Sequence, residues 1–205
     1  MLPRIIDTLI GSALAYLSVR LLWPDWQYKR LPGLLDTALH QNAAYLRAVL
    51  EEYQRTSGDD DLTYRVARRA AHRADNALAL AWQDMQLEPR NRRRRLDQAF
   101  ELTYLNHALL SYISAFGAHR QPWQDATAEI RSLTLAVSSA LDAIAAALPP
   151  PTATAPADFK PLLEEIRRAA HAAPQNLFKY QYTLLYNIAD VANQIRQISP
   201  QVRAD

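Results

Sequence analysis

The chain has 205 residues, of which 49% are hydrophobic and 21% are charged, so it can bury a core and is not a disordered tail. Its 4 glycines, beside many alanines, leucines and arginines, favour helices over sheets. The absence of cysteine excludes a disulfide framework, a cysteine-ligated metal site and a cysteine nucleophile, and the net charge of only +2 gives no indication of a nucleic-acid partner.

The first element is an apolar segment from Ile5 to Trp23, bracketed by Pro3 and Pro24. A helix of these 19 residues would be about 28 Å long, close to the ~30 Å hydrocarbon thickness of a bilayer. An aromatic and basic collar of the interfacial type follows it, formed by Trp23, Trp26, Tyr28, Lys29 and Arg30. We therefore predict a transmembrane helix with its collar over residues 1–27. A buried helix of a soluble bundle and a cleaved signal peptide are the less favoured alternatives.

Small and polar residues share one face of this helix, because they recur at three- and four-residue spacing. They are Arg4, Asp7, Gly11, Ala15 and Ser18. Gly11 and Ala15 form a small-x-x-x-small pattern, which lets a second helix approach closely in lipid. A carboxylate such as Asp7 on that face needs a protein partner or a water-filled path. This face therefore predicts contact with other transmembrane helices.

After Trp26 the hydrophobic period stays near 3.6 residues, and no alternating stretch long enough for a strand appears. Pro32-Gly33 is interpreted as a break, followed by a helix to about Thr56. Further helices are predicted over about 62–87, 91–119, 124–148, 159–173 and 174–198, with a proline-rich loop at 149–158. The predicted fold is all-α, with one N-terminal transmembrane helix and a cytoplasmic bundle of about six helices over residues 28–205.

Apolar or small side chains form a stripe along most of these helices, and we expect the stripes to pack against one another. The helix over 62–87 has a small seam of Val66, Ala70, Ala74, Ala77, Leu78 and Ala81. The helix over 91–119 has Leu96, Phe100, Leu105, Leu109, Tyr112 and Phe116, and the next has Ile130, Leu133, Val137, Leu141, Ile144 and Leu148. The last helix has a heptad seam of Leu177, Leu184, Ile188, Val191, Ile195 and Ile198. We expect that seam to lie within the chain's own bundle rather than in a coiled coil with a partner.

The segment RIIDTLIGSALAYLSVRLLWPDW carries Arg4, Asp7, Thr8, Gly11 and Ala15 at a spacing that resembles a motif of the FUSC superfamily of bacterial inner-membrane proteins. The YccS/YhfK branch is the most similar, and YRVARRAAHRADNALALAWQDMQLEP, residues 64–89, also resembles its cytosolic segment. The resemblance implies a late transmembrane helix followed by a helical cytoplasmic domain.

Members of that family have many membrane helices, whereas this chain has one candidate. The resemblance therefore implies the C-terminal piece of a longer inner-membrane efflux transporter, with the helical domain supporting assembly or regulation. The implied partners are other transmembrane helices of the same or a split protein, membrane lipid and, as a further option, a second copy of the chain. The alternative function is a free-standing helical interaction module, soluble or singly anchored, that binds a partner through the last helix or through an arginine run.

That arginine run is Arg92, Arg93, Arg94 and Arg95, at the predicted start of a helix. Cations are disfavoured at a helix N-terminus, so the run suggests a compensating anion. Protein carboxylates or plain solvation are the favoured interpretation, anionic lipid headgroups come second, and nucleic acid comes last. A second basic stripe, Arg65, Arg69 and Arg73, is expected to be a solvated face.

No catalytic, metal or cofactor motif is present, and the chain is not expected to be an enzyme. The histidines lack zinc-site spacing, and no phosphate-binding loop or nucleophile elbow occurs. His72 and Asp75 lie one turn apart and suit a local hydrogen bond, while His107 is expected in the core. Tyr180, Tyr182 and Tyr186, with Phe178, are a candidate stacking site for an aromatic ligand, although packing is the favoured role.

Overall fold

The computed structural model describes residues 2–22, 27–53, 62–88, 95–118, 127–148, 158–173 and 176–202. These residues form the helices α1 (Leu2–Leu22), α2 (Gln27–Glu52), α3 (Leu62–Leu87), α4 (Leu96–Ala118), α5 (Thr127–Ala146), α6 (Lys160–Ala172) and α7 (Asn176–Ile198). A short 3₁₀ helix, Ser199–Val202, follows α7. No strand occurs within the described ranges, so the all-α prediction is confirmed.

The first helix, α1, stands apart from the bundle, because it contacts none of the other described helices. Every side chain from residue 4 to residue 18 is exposed. None of the helices that the structure describes combines the length and the apolar character needed to cross a membrane. The predicted helix is thus present, but its transmembrane character is not confirmed. Of the predicted collar, Trp23 and Trp26 lie outside the described residues.

The second helix, α2, begins earlier than predicted, and the interpretation of Pro32-Gly33 as a break is wrong. Pro32 lies inside α2, one turn after its start, where it removes a single early backbone hydrogen bond. Leu31 and Leu35 flank it and are completely or almost completely buried. Because both leucines face the core, packing of that face holds the helix continuous through the proline.

The bundle is organised around α2 and α7. α2 packs against α3, α4 and α5, while α7 packs against α4, α5 and α6. α2 and α4 run in the same direction, because Asn42 lies beside Asn106 in the middle of both helices and Tyr53 lies beside Phe116 near their C-terminal ends. Arg47 of α2 also donates to Asp142 of α5 at 2.6 Å, so a half-exposed ion pair accompanies the apolar contact.

The predicted stripes of α5 and α7 are confirmed. All six stripe residues of α5 are buried, and so are Leu184, Ile188, Val191 and Ile195 of the α7 seam. The side chain of Leu177 lies outside the described residues. Because α4, α5 and α6 cover α7, its seam lies inside the chain's own bundle, as expected.

The predicted stripes of α3 and α4 are wrong in part. On α3 the buried face is rotated, since Val66 is 58% exposed while Tyr64, Ala71, Ala74 and Leu78 are buried. The rotation follows from side-chain size. Tyr64 and Met85 remove more apolar area from water than the small residues of the predicted seam, so the face that carries them is buried. On α4 Phe100 is 52% exposed, and its ring lies beside Trp82 of α3 with ring centroids 5.3 Å apart.

The start of α4 also differs from the prediction, which placed it near residue 91. α4 begins at Leu96, and Arg95 before it has a φ of 62°, in the left-handed region. A left-handed residue interrupts right-handed helical geometry, so the helix cannot extend through Arg95. Of the predicted proline-rich loop 149–158, only Asp158 lies within the described residues, and its carboxylate accepts a hydrogen bond from the backbone N of Lys160 at the start of α6.

We predict that truncating Leu109, which is fully buried on α4, lowers the free energy of unfolding by about 2–5 kcal/mol, because Leu109→Ala leaves a cavity in the core. The matched control is Leu87→Ala on α3, where the side chain is 83% exposed and the change should stay within about 0.5 kcal/mol. Urea unfolding of the full chain, followed by circular dichroism, measures both. Equal effects of the two variants would contradict the assigned core.

Candidate functional site

The predicted motif of α1 forms one continuous face of an exposed helix. Arg4, Asp7, Thr8, Gly11 and Ala15 all lie within α1, and each is exposed. The Thr8 hydroxyl donates to the backbone carbonyl of Arg4 at 2.8 Å, which satisfies that hydroxyl within its own helix. A Cβ atom placed on Gly11 would meet nothing within 4 Å. The structure therefore brings the predicted residues together, and no other described helix covers them.

The remainder of the α1 surface is apolar. Its large exposed side chains are Ile5, Ile6, Leu9, Ile10, Leu14, Tyr16 and Leu17, from 46% to 65% exposed. At 100° per residue they occupy the rest of the helix circumference, from Leu14 beside Asp7 round to the side opposite Gly11. Contiguous apolar surface of this kind on a folded chain marks a site of contact with protein or lipid. Together the two arcs make α1 the candidate functional site.

The arginine run lies mostly outside the described residues. This applies to Arg92, Arg93 and Arg94, whereas Arg95 is half-buried directly before α4. The carbonyl of Arg95 accepts a hydrogen bond from the backbone N of Ala99 at 2.9 Å. The described end of the run therefore does lie at a helix N-terminus. The second basic stripe is an exposed face of α3, as expected, because Arg65, Arg69 and Arg73 are all exposed.

A chain of buried polar side chains, missed at the level of sequence, joins α2, α3 and α4. Asn42 Nδ2 donates to Asn106 Oδ1 at 2.9 Å, and Asn106 Nδ2 donates to Asp75 Oδ1 at 2.7 Å. The second carboxylate oxygen of Asp75 lies 2.9 Å from Nδ1 of His107. Asn42, Asn106 and Asp75 are each at most 6% exposed. We call these four residues the polar chain.

The polar chain corrects two expectations about histidines. His107 is not in the core, because its side chain is 70% exposed and only its Nδ1 edge meets Asp75. His72 is exposed, and the carboxylate of Asp75 turns instead to α4. The contact between these polar residues could not be predicted from the sequence, because they lie on three helices and meet only when those helices pack together. The polar chain holds three helices in one register, which is a structural role.

Two tyrosines of the bundle, Tyr45 and Tyr182, are buried and hydrogen-bonded. Burial, and secondarily a hydrogen bond with Tyr64, raises the pKa of Tyr45 to about 12. Burial, followed by its hydrogen bond to Glu129, likewise raises the pKa of Tyr182. Of the predicted aromatic cluster, Tyr182 is buried, Tyr186 is half-buried and Tyr180 is 44% exposed, whereas the side chain of Phe178 lies outside the described residues. Within the described part of the chain, no group of three histidines or carboxylates is placed to hold a metal ion.

The comparisons with known proteins point to one kind of protein. The chain is 48% identical over 120 residues to the inner membrane protein YccS of Escherichia coli K12, and 42% identical over 120 residues to an uncharacterized protein of Haemophilus influenzae. It is also 38% identical over 114 residues to an uncharacterized protein, ORF2, of Neisseria gonorrhoeae. No family model and no solved structure matches.

These matches confirm the resemblance to YccS: the chain is similar to that inner membrane protein over 58% of its own length. The chain spans only 17% of the length of the first two relatives and 27% of the third.

We predict that removing the carboxylate of the polar chain destabilises the fold, because Asp75→Ala leaves the buried amide of Asn106 without its acceptor. The expected loss is about 1–3 kcal/mol in the free energy of unfolding. Asp84→Ala, an exposed position on the same helix, is the control and should change it by less than about 0.5 kcal/mol. Asp75→Asn keeps one acceptor and should fall between the two. Urea unfolding measures the free energy of unfolding of all three variants. Equal stability of Asp75→Ala and Asp84→Ala would contradict the structural role of the polar chain.

Proposed function

We propose that this chain is the C-terminal part of a YccS-type inner-membrane efflux transporter, in which α2–α7 support assembly or regulation. In this proposal α1 packs among the membrane helices of the complete protein. The observation that carries it is the isolation of α1: a 21-residue helix with a broad apolar arc contacts no other described helix. The chain that contains it is 48% identical over 120 residues to an inner membrane protein.

The two arcs of α1 support a position between lipid and protein. In a membrane, a helix that meets other helices carries small and polar residues on that side and apolar residues toward lipid. Gly11 and Ala15 would let a neighbouring backbone approach, and Asp7 would face protein rather than hydrocarbon. A helix of this kind is less apolar overall than one that crosses lipid alone, because only part of its surface meets acyl chains.

Transport itself belongs to the complete protein in this proposal. One helix cannot enclose a path through a bilayer, and the chain corresponds to 17% of the length of YccS. Lys29 and Arg30 lie in the first turn of α2, a few residues after the end of α1, and more arginines follow in the bundle. An excess of basic residues close to a membrane helix favours the cytoplasmic side, which supports a cytoplasmic position for α2–α7.

The first test separates this proposal from a free-standing interaction module. We expect residues 1–205 to resist alkaline carbonate extraction from membranes, and a chain starting at Gln27 to be soluble and helical, because α1 contributes no contact to the bundle. Circular dichroism of the shorter chain checks its fold. Equal extraction of both chains would overturn the membrane position of α1 and favour the interaction module.

The second test addresses the polar and small face. We expect Gly11→Leu to reduce co-purification of the chain with YccS truncated before its matched region by roughly tenfold, since contacts between packed membrane helices amount to about 1–2 kcal/mol. The matched control is Ala13→Leu, which adds similar bulk on the opposite side of α1. Equal recovery of the two variants would mean that this face does not meet a membrane helix.

A further inference from the structure

A groove runs between α6 and α7, on a part of the bundle distant in sequence from α1 and from the polar chain. One cavity of about 380 Å³ is lined by Arg167, Ala170, His171, Lys179, Tyr182, Thr183 and Tyr186. A second cavity, of about 490 Å³, is lined by Lys160, Leu163, Glu164, Arg167 and Tyr186. Arg167 and Tyr186 line both, so the two cavities are adjacent, and we call them together the α6–α7 groove.

The described lining of the groove is strongly cationic. Lys160, Arg167 and Lys179 carry positive charges, His171 adds an imidazole, and Glu164 is the single carboxylate among the lining residues. Two further carboxylates contact lining residues, and both accept hydrogen bonds. Asp158 accepts from the backbone N of Lys160, and Glu129 accepts from the Tyr182 hydroxyl. The chain carries a net charge of only +2, so this excess is local rather than a property of the whole surface.

The ion pair inside the groove leaves most of its donors available. Arg167 Nη2 donates to Glu164 Oε1 at 2.8 Å, and both side chains are more than half exposed. Exposed pairs of this kind contribute little stability and exchange readily. A guanidinium has five N–H donors in a planar fork, so Arg167 can hold Glu164 and a second anion together. The side chains of Lys160 and Lys179 have no carboxylate partner among the described residues.

The walls of the groove restrict what it can bind. Tyr182 is 3% exposed and its hydroxyl is committed to Glu129 at 2.9 Å. The Thr183 hydroxyl donates to the backbone carbonyl of Lys179 at 2.7 Å. Because these hydroxyls already donate hydrogen bonds, a ligand of the groove would be bound mainly by its cationic side chains. Tyr186, which is half-buried, lines both cavities with its ring. A compact anion with several acceptor oxygens fits such a set of donors better than a neutral ligand.

We propose that the α6–α7 groove is a binding site for a phosphate group, held by Arg167 and Lys179 with Lys160 and His171 at its ends. A phosphate offers three or more acceptor oxygens, which match an arginine fork plus a lysine point charge. The phosphate belongs either to a soluble phosphorylated compound or to a lipid headgroup. The site does not depend on α1 or on the proposed transporter role, because every contact comes from α6 and α7.

The test uses the full chain in a nonionic detergent, with amide chemical shifts recorded by nuclear magnetic resonance. Two probes are titrated: inorganic phosphate, and dihexanoyl phosphatidic acid below its micelle concentration. We expect saturable shifts at Thr183 and Tyr186, and loss of about tenfold or more in affinity for the variant Arg167→Gln, Lys179→Gln. The control variant is Arg168→Gln, Arg131→Gln, which removes the same charge from exposed positions that do not line the groove.

Each outcome decides the proposal. Shifts with both probes at similar affinity identify a site for free phosphate, and markedly tighter binding of phosphatidic acid identifies a headgroup site. Equal weakening by the groove variant and by the control variant would mean diffuse charge attraction and would overturn the site. Absence of saturable shifts at Thr183 and Tyr186 with either probe would overturn it as well. Thermal unfolding of both variants, followed by circular dichroism, establishes that loss of binding does not come from loss of fold.

Discussion

Burial of the apolar face of α2 is the constraint on which the rest of the bundle depends. Leu35, Leu39 and Leu46 are completely buried, and the helix that carries them touches α3, α4 and α5 at once. Cavities along this face would therefore weaken the packing of α2 against these helices. The same burial explains why α2 continues through Pro32: the cost of one missing hydrogen bond near its start is small beside the apolar area that Leu31 and Leu35 remove from water.

Apolar burial alone does not specify how three helices are placed relative to one another, and the polar chain supplies that specificity. Buried amides and carboxylates need partners, and the hydrogen bonds from Asn42 to Asn106 and from Asn106 to Asp75 form only when α2, α3 and α4 stand at one height. Near the C-terminal end of α2, Gly117 of α4 also constrains how the two helices are placed. A Cβ atom there would lie 3.1 Å from Cγ2 of Val49, so α2 and α4 approach more closely than a larger residue would readily allow.

Helix identity and most helix bounds could be predicted from the sequence, because the 3.6-residue period is a local property. The prediction of α3 over residues 62–87 coincides with the observed helix, and the stripes of α5 and α7 point inward as expected. The buried face of α3 was predicted less well, since small residues pack on either side of a helix and only Tyr64 and Met85 decide between them. The polar chain and the α6–α7 groove could not be predicted, because each joins residues from different helices. The shared face of the motif on α1 could be predicted, because all five of its residues belong to one helix.

The separation of α1 from the bundle has a functional consequence. The buried hydrophobic core begins at Leu31 and includes no residue of α1 among the described residues, so the fold of α2–α7 and the contacts of α1 are governed by different side chains. A substitution on α1 would alter the proposed contacts with membrane helices without unfolding the bundle, and a cavity in the bundle would leave the surface of α1 unchanged. Evolution can therefore adjust the two parts independently. In our proposal, a helical domain with its own core and its own phosphate site suits a regulatory part of a larger assembly, because it can respond to a ligand without the assembly having to refold.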